Sequence, residues 1–144
     1  MIRKIGIFIG LLFAALVIAS CKPGGGGTVN VMTAKAQNVV TSMSKSDYVS
    51  ATKDFDAKMK VVASPEKLRR VWTDLTAAGG AFKGFGDSRT DTEQGYDEVF
   101  LKCNFARSTA GWKRKTTAEL KFVFNHQKQI SGMWLVESKS VSSH

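Results

Sequence analysis

The 144-residue chain predicts an α+β fold: amino-terminal helices packed on an antiparallel sheet of about four strands. Three observations carry this. Apolar residues recur at helical spacing from Val31 to Leu75, and the period changes to two beyond Gly80 as β-branched and aromatic residues replace alanine. Short polar turns then separate the later segments, and helices followed by a meander argue for helices covering one face of a single sheet.

The first residues form the leader. Met-Ile-Arg-Lys precedes an uncharged apolar run from Ile5 to Ile18, the tripartite form of a secretory signal. A transmembrane helix is the rival reading, but it needs about 20 apolar residues, and this run stops sooner at small residues and a cysteine. Ile18-Ala19-Ser20-Cys21 resembles the lipobox of bacterial lipoproteins, whose cysteine receives a diacylglyceryl group and becomes the mature amino terminus. Residues 1–20 are therefore expected to be a lipoprotein signal peptide and Cys21 the site of lipid attachment; an uncleaved anchor is the alternative. Either leaves the chain tethered to a membrane, and two or three acyl chains at about 0.8 kcal/mol per buried CH₂ hold a small domain durably. Lys22 in place of an aspartate points to the outer membrane, facing the periplasm, in a Gram-negative cell. Residues 21–30 complete the anchor and a linker, since four consecutive glycines have no side chain to bury and much backbone entropy to lose.

The domain is expected over residues 31–138. Met32, Ala36, Val39, Val40 and Met43 share one helical face, and a second helix after "SKSD" carries Tyr48, Ala51, Phe55 and Met59. Ser64-Pro65-Glu66 then signals a helix start, with a serine cap, a proline whose fixed φ suits the first turn, and an acid at the positive helix end. Leu68, Val71, Trp72 and Leu75 follow, and Gly79-Gly80 ends the helix. A short strand is expected at Ala81 to Arg89. Tyr96 to Arg107 places Val99, Leu101, Cys103 and Phe105 on one face, and Ser108 to Gly111 turns the chain. Trp112 to Phe124 points Leu120, Phe122 and Phe124 inward, with Lys113, Lys115, Glu119 and Lys121 outward. After the "NHQKQ" turn, Ile130, Trp134 and Val136 form the buried face of a last strand, and 139–144 is expected to be a disordered tail. The opposite face would gather Phe100, Val123, Met133 and Leu135 into an apolar patch, either a dimer or partner interface or a surface covered by the domain's own loop or termini.

The charge is +9, and removing Arg3 and Lys4 leaves 19 basic against 12 acidic residues, or +7. Such a surplus attracts lipid headgroups, wall polymers or lipopolysaccharide, or simply keeps the surface soluble. Nucleic acid is not an expected partner, because no long basic run or basic-aromatic interleaving appears outside "WKRK". There, Lys113, Arg114 and Lys115 are candidate contacts to an anionic surface, or a solvated strand end.

With Cys21 carrying lipid, Cys103 has no partner within the chain and reads as a small buried hydrophobe. Neither His126 nor His144 suits it as a catalytic base, two such histidines and one spare cysteine do not make a zinc site, and no cofactor is expected. "GAFKGFG" follows a helix instead of a strand, which is the wrong setting for a phosphate loop, and no G-x-S-x-G occurs.

"SDYVSATKDFDAKMKVVASPEKLRRVWTDLTAAGGAFKGFG", "GYDEVFLKCNF" and "ELKFVFNHQKQISGMW", in that order, resemble an uncharacterised bacterial envelope domain of the nuclear-transport-factor-2-like superfamily, also called SnoaL-like or cystatin-like. The resemblance covers Val39 to about Val136. It implies a cone, a curved antiparallel sheet wrapped around helices, with an apolar cavity between them and dimers through the sheet. Tyr96, Leu101, Cys103, Phe105, Phe122 and Trp134 would line that cavity. Enzymes of the superfamily place an Asp or His base opposite a Tyr or protonated acid there. Here the expected lining is apolar, with Tyr96 the one candidate donor and Asp54 and Asp56 beside their helix stripe. The expectation is a membrane-anchored, non-catalytic envelope domain binding an apolar ligand or a protein partner; the alternative is a small lyase, isomerase or hydrolase-associated enzyme.

Overall fold

Residues 27–143 are described by the computed structural model, so the expected signal peptide and Cys21 lie outside the described residues. Four helices, α1 (Gly27–Ser44), α2 (Tyr48–Ala51), α3 (Ala57–Val62) and α4 (Pro65–Gly79), precede four strands, β1 (Ala81–Glu93), β2 (Tyr96–Thr109), β3 (Trp112–Phe124) and β4 (Ile130–Ser143). The sheet is antiparallel in the order β1-β2-β3-β4. Gln94-Gly95 and Ala110-Gly111 close the first two hairpins with positive φ at both loop residues, the turn whose twist matches that of paired strands.

The helix starts follow local chemistry. Ser64 caps α4 by accepting from the Lys67 N–H, with Pro65 at the first helical position. Asp56 caps α3, its carboxylate accepting from the Met59 N–H at 2.7 Å. That cap divides what periodicity predicted as one helix from Tyr48 to Met59. Phe55 leaves the helical path to form a parallel bridge with Ile130, held by Asp56 N–H to Ile130 O at 2.9 Å and Ile130 N–H to Asp54 O at 2.8 Å.

Three boundaries differ from expectation. α1 begins at Gly27, inside the stretch read as linker. β1 runs on to Glu93, and β4 continues through the residues read as a tail, pairing as far as Lys113 with Ser143. In both strands the neighbour offers a ladder of unpaired backbone groups, and backbone pairing does not require an apolar pattern.

Extra residues bend the sheet. β1 carries register shifts between Phe82 and Gly84 and between Phe85 and Ser88. In β4, Ser131 and Val136 are each the additional residue against β3. Such bulges kink a strand and raise its twist, which curves the sheet around the helices.

The core lies between α1, α3 and α4 and one face of the sheet. Met32, Ala36, Val39, Val40 and Met43 of α1 meet Val99, Leu101, Cys103, Phe122 and Phe124, with Phe55, Leu68 and Ile130 closing the sides. Trp72 packs against Phe82 and Phe105, which also touch each other, and Phe85 extends the cluster from Phe82, with centroids 5.2–5.7 Å apart and edge-to-face or tilted geometry. The chain passes from α4 into β1 at Gly80. Its φ of +93° suits glycine, and a Cβ there would lie 2.3 Å from the Ala106 carbonyl oxygen.

Candidate functional site

α4 packs on β2 and β3, and α3 reaches β4 only at its start. Beyond that start, no helix among the described residues packs closely on the helix-facing side of β4. The result is an open groove of about 620 Å³, walled on one side by Val71, Asp74, Leu75 and Ala78 of α4 and on the other by Met133, Trp134 and Leu135, with Leu120 of β3 as its floor. Asp74 is its one ionisable lining group. A small-molecule pocket typically has this apolar lining and a size of roughly 300–1,000 Å³.

The residues expected to line a cavity fall in three places. Leu101, Cys103, Phe105 and Phe122 do face the helices, but they are fully buried in core packing. Burial pushes the Cys103 thiol up to about 12, which keeps it protonated and a poor nucleophile. Tyr96 is on the other face, 45 % exposed, with its ring stacked on His126 at 5.8 Å. Trp134 borders the groove between Met133 and Leu135, but it alternates to that other face: it pairs with Lys121, is 54 % exposed, and lays its indole over Gly132, where a Cβ would come within 2.1 Å of the ring.

The expected outer patch divides for the same reason. Met133 pairs with Phe122 and Leu135 with Leu120, so both stand on the helix side, in the groove. One extra residue, Ser131, inverts the alternation that would have put Trp134 inside and these two outside. Phe100 and Val123 keep the outer face, but Phe100 is only 8 % exposed because the Arg89 guanidinium lies 3.4 Å above its ring centroid and Lys121 is 5.5 Å away. Phe100, Val123, Met133 and Leu135 therefore do not form one patch.

The outer face is a charged lattice. Glu98, buried, pairs with Lys121, and Arg89 reaches Glu119 at 3.0 Å. The Glu98 carboxylate raises the Lys121 ammonium above its usual range. A second trough of about 620 Å³ runs over this face, lined by Lys102, Lys115 and Lys139 against Asp87, Glu119 and Glu137. Its three cations match its three acids, so it offers no field of one sign.

At the β2–β3 turn, Lys113, Arg114 and Lys115 pair with Ser108, Arg107 and Ala106. Arg114 shares the helix-side alternation of Thr116, whereas Lys113 and Lys115 alternate to the outer side. Asp56 is occupied as the α3 cap, and Asp54 lies 3.9 Å from Lys35. Among the described residues no group of three or more His, Cys, Asp or Glu is placed to hold a metal ion, and no helix is long and apolar enough to cross a membrane.

Sequence reasoning missed the groove and the cover over Phe100. Val71 and Leu75 were legible as part of the α4 stripe, but that they overhang the sheet depends on where β4 ends up. Residues 36–133 match the model of a family described as "Protein of unknown function (DUF3887)". Comparison with curated proteins gives no match, nor does comparison with solved structures.

Proposed function

The chain belongs to this family of proteins of unknown function, and within it we propose that it is a non-catalytic binding domain, tethered to the cell envelope through Cys21, that holds an apolar ligand or the apolar segment of a protein partner in the α4–β4 groove. The groove itself carries the reading: about 620 Å³ of apolar space with one carboxylate, Asp74, among its lining groups. Catalysis of the kind the superfamily resemblance implies needs a base opposite an oxyanion donor. Of the candidates for those roles, Asp56 caps α3, Asp54 lies beside Lys35 and Tyr96 stacks its ring on His126, and none of the three lines the groove. The resemblance to the nuclear-transport-factor-2-like superfamily fits the helix-on-curved-sheet layering. The signal-like leader and the Ile18-Ala19-Ser20-Cys21 sequence support anchoring, with the outer membrane as the address in a Gram-negative cell.

Native mass spectrometry of the full chain isolated from its own host in mild detergent tests the groove. An apolar adduct retained by the wild type and lost in Leu75→Arg is expected. A chain that carries no adduct and gives no fluorescence enhancement with an apolar dye, or an adduct that Leu75→Arg retains, overturns the reading. Anchoring is tested separately: labelled palmitate is incorporated by the wild type and lost in Cys21→Ala.

A further inference from the structure

Four cations lie at one end of the sheet, three of them, Arg107, Lys113 and Arg114, around a pocket with no acid in its lining. From Arg107 to Lys115 the β2–β3 hairpin contains Arg107, Lys113, Arg114 and Lys115 and no Asp or Glu, and β4 sets only Val141, Ser142 and Ser143 against Lys113 to Lys115. None of the four cations joins an ion pair among the described residues. Arg107 and Arg114 are direct cross-strand partners. Both follow the alternation of Phe105 and Thr116, so they project on the helix side just past the end of α4. Like charges placed directly opposite destabilise a strand pair, so this arrangement costs stability unless something negative lies between them.

The geometry around the pair is fixed and concave. Arg107 donates from Nη2 to the Ala77 carbonyl and, at 3.4 Å, to the Thr76 carbonyl, which ties its guanidinium to the negative end of α4. A pocket of about 240 Å³ opens there, lined by Arg107, Arg114, Lys113, the indole of Trp112, and the hydroxyl-bearing Thr109 and Ser142. It shares no lining residue with the α4–β4 groove.

We propose that this pocket is a phosphate-binding site. Guanidinium forks match the oxygens of a phosphate in paired, charge-assisted hydrogen bonds, and the two hydroxyls add donors. A carboxylate has two oxygens for these groups, whereas a phosphate has three or four and more charge. An anion held between Arg107 and Arg114 removes their repulsion, so binding and stability rise together. The phosphate comes from an anionic lipid headgroup or from a soluble phosphate-bearing molecule. The site lies toward the other end of β2 from Asp97, which Met32 of α1 borders, ten residues or about 33 Å of extended strand away.

The test uses the full chain at low ionic strength, with inorganic pyrophosphate compared against sodium chloride of matched ionic strength. A rise of several degrees in the unfolding midpoint and broadening of the pyrophosphate phosphorus resonance are expected. Cosedimentation with vesicles of phosphatidylglycerol and phosphatidylcholine, against phosphatidylcholine alone, distinguishes the sources: a preference for the anionic vesicles identifies a headgroup, and pyrophosphate binding without that preference identifies a soluble phosphate. Arg114→Gln, which leaves the Arg107 contacts to α4 intact, abolishes either response without lowering the midpoint in chloride. Lys67→Gln, on the exposed side of α4, retains it. No response to pyrophosphate or to anionic vesicles, or a response that survives Arg114→Gln, overturns the proposal.

Discussion

Leu120 and Phe122 stand two residues apart on the same face of β3, and truncating each measures whether the groove is open to solvent. Leu120 is 3 % exposed and forms the groove floor, whereas Phe122 is fully buried in the core. Leu120→Ala removes roughly three methylene equivalents, about 2.4 kcal/mol of transfer free energy at about 0.8 each. In a closed core, a cavity term raises such a loss toward about 5 kcal/mol. Above Leu120 the space already admits water, so little new cavity is made, and the expected loss is about 2–3 kcal/mol. For a domain of this size that is a fall of roughly 10 °C in Tm. Phe122→Ala, with no such outlet, is expected to cost about 3–5 kcal/mol. Urea and thermal unfolding followed by far-UV circular dichroism give both values. A Leu120→Ala loss above about 4 kcal/mol, or equal to that of Phe122→Ala, would show that Leu120 lies in closed packing, and the groove would lose its floor.

Two further outcomes follow from charge and burial. The Lys128 ammonium bonded to Asp97 holds that carboxyl below its ordinary 3.8, with Thr92 and His126 adding to the effect. The folded state therefore binds fewer protons than the unfolded one below about pH 4, so the stability contributed by Asp97 is present above that range and is lost as pH falls through the folded value. The stability gap between wild type and Asp97→Asn should accordingly shrink on acidification from pH 7 to pH 2; a gap independent of pH contradicts the pairing. Cys103, inaccessible and with its thiol raised to about 12, should resist iodoacetamide at pH 8 in the native protein and react once unfolded, and rapid native labelling would place it elsewhere.

The inward faces of β2 and β3 were legible because both strands pair from Asp97 to Thr109 without a register shift. Period-two alternation then carries Val99, Leu101, Cys103 and Phe105, and Leu120, Phe122 and Phe124, to the helices as expected. α4 was equally legible, because its serine cap and proline at one end and its glycines at the other each act on backbone within a few residues of themselves. Phe55 marks where that local logic ends: its spacing from Ala51 and Met59 is helical, yet its backbone is claimed by Ile130, 75 positions along the chain.

The sequence by itself determined the layering, helices first and a meander after, together with the core of the two central strands and the basic character of the "WKRK" turn. Those features rest on short-range periodicity and turn chemistry, which a chain carries wherever it goes. Only the tertiary structure decided which side of β4 Met133, Trp134 and Leu135 occupy, since the bulge at Ser131 is created by pairing with β3 and has no signature of its own. It also decided that Arg89 covers Phe100 and that Arg107 meets Arg114. Each of these is a cross-strand relation between residues 7 to 11 positions apart, and hairpin register, bulges included, settles it.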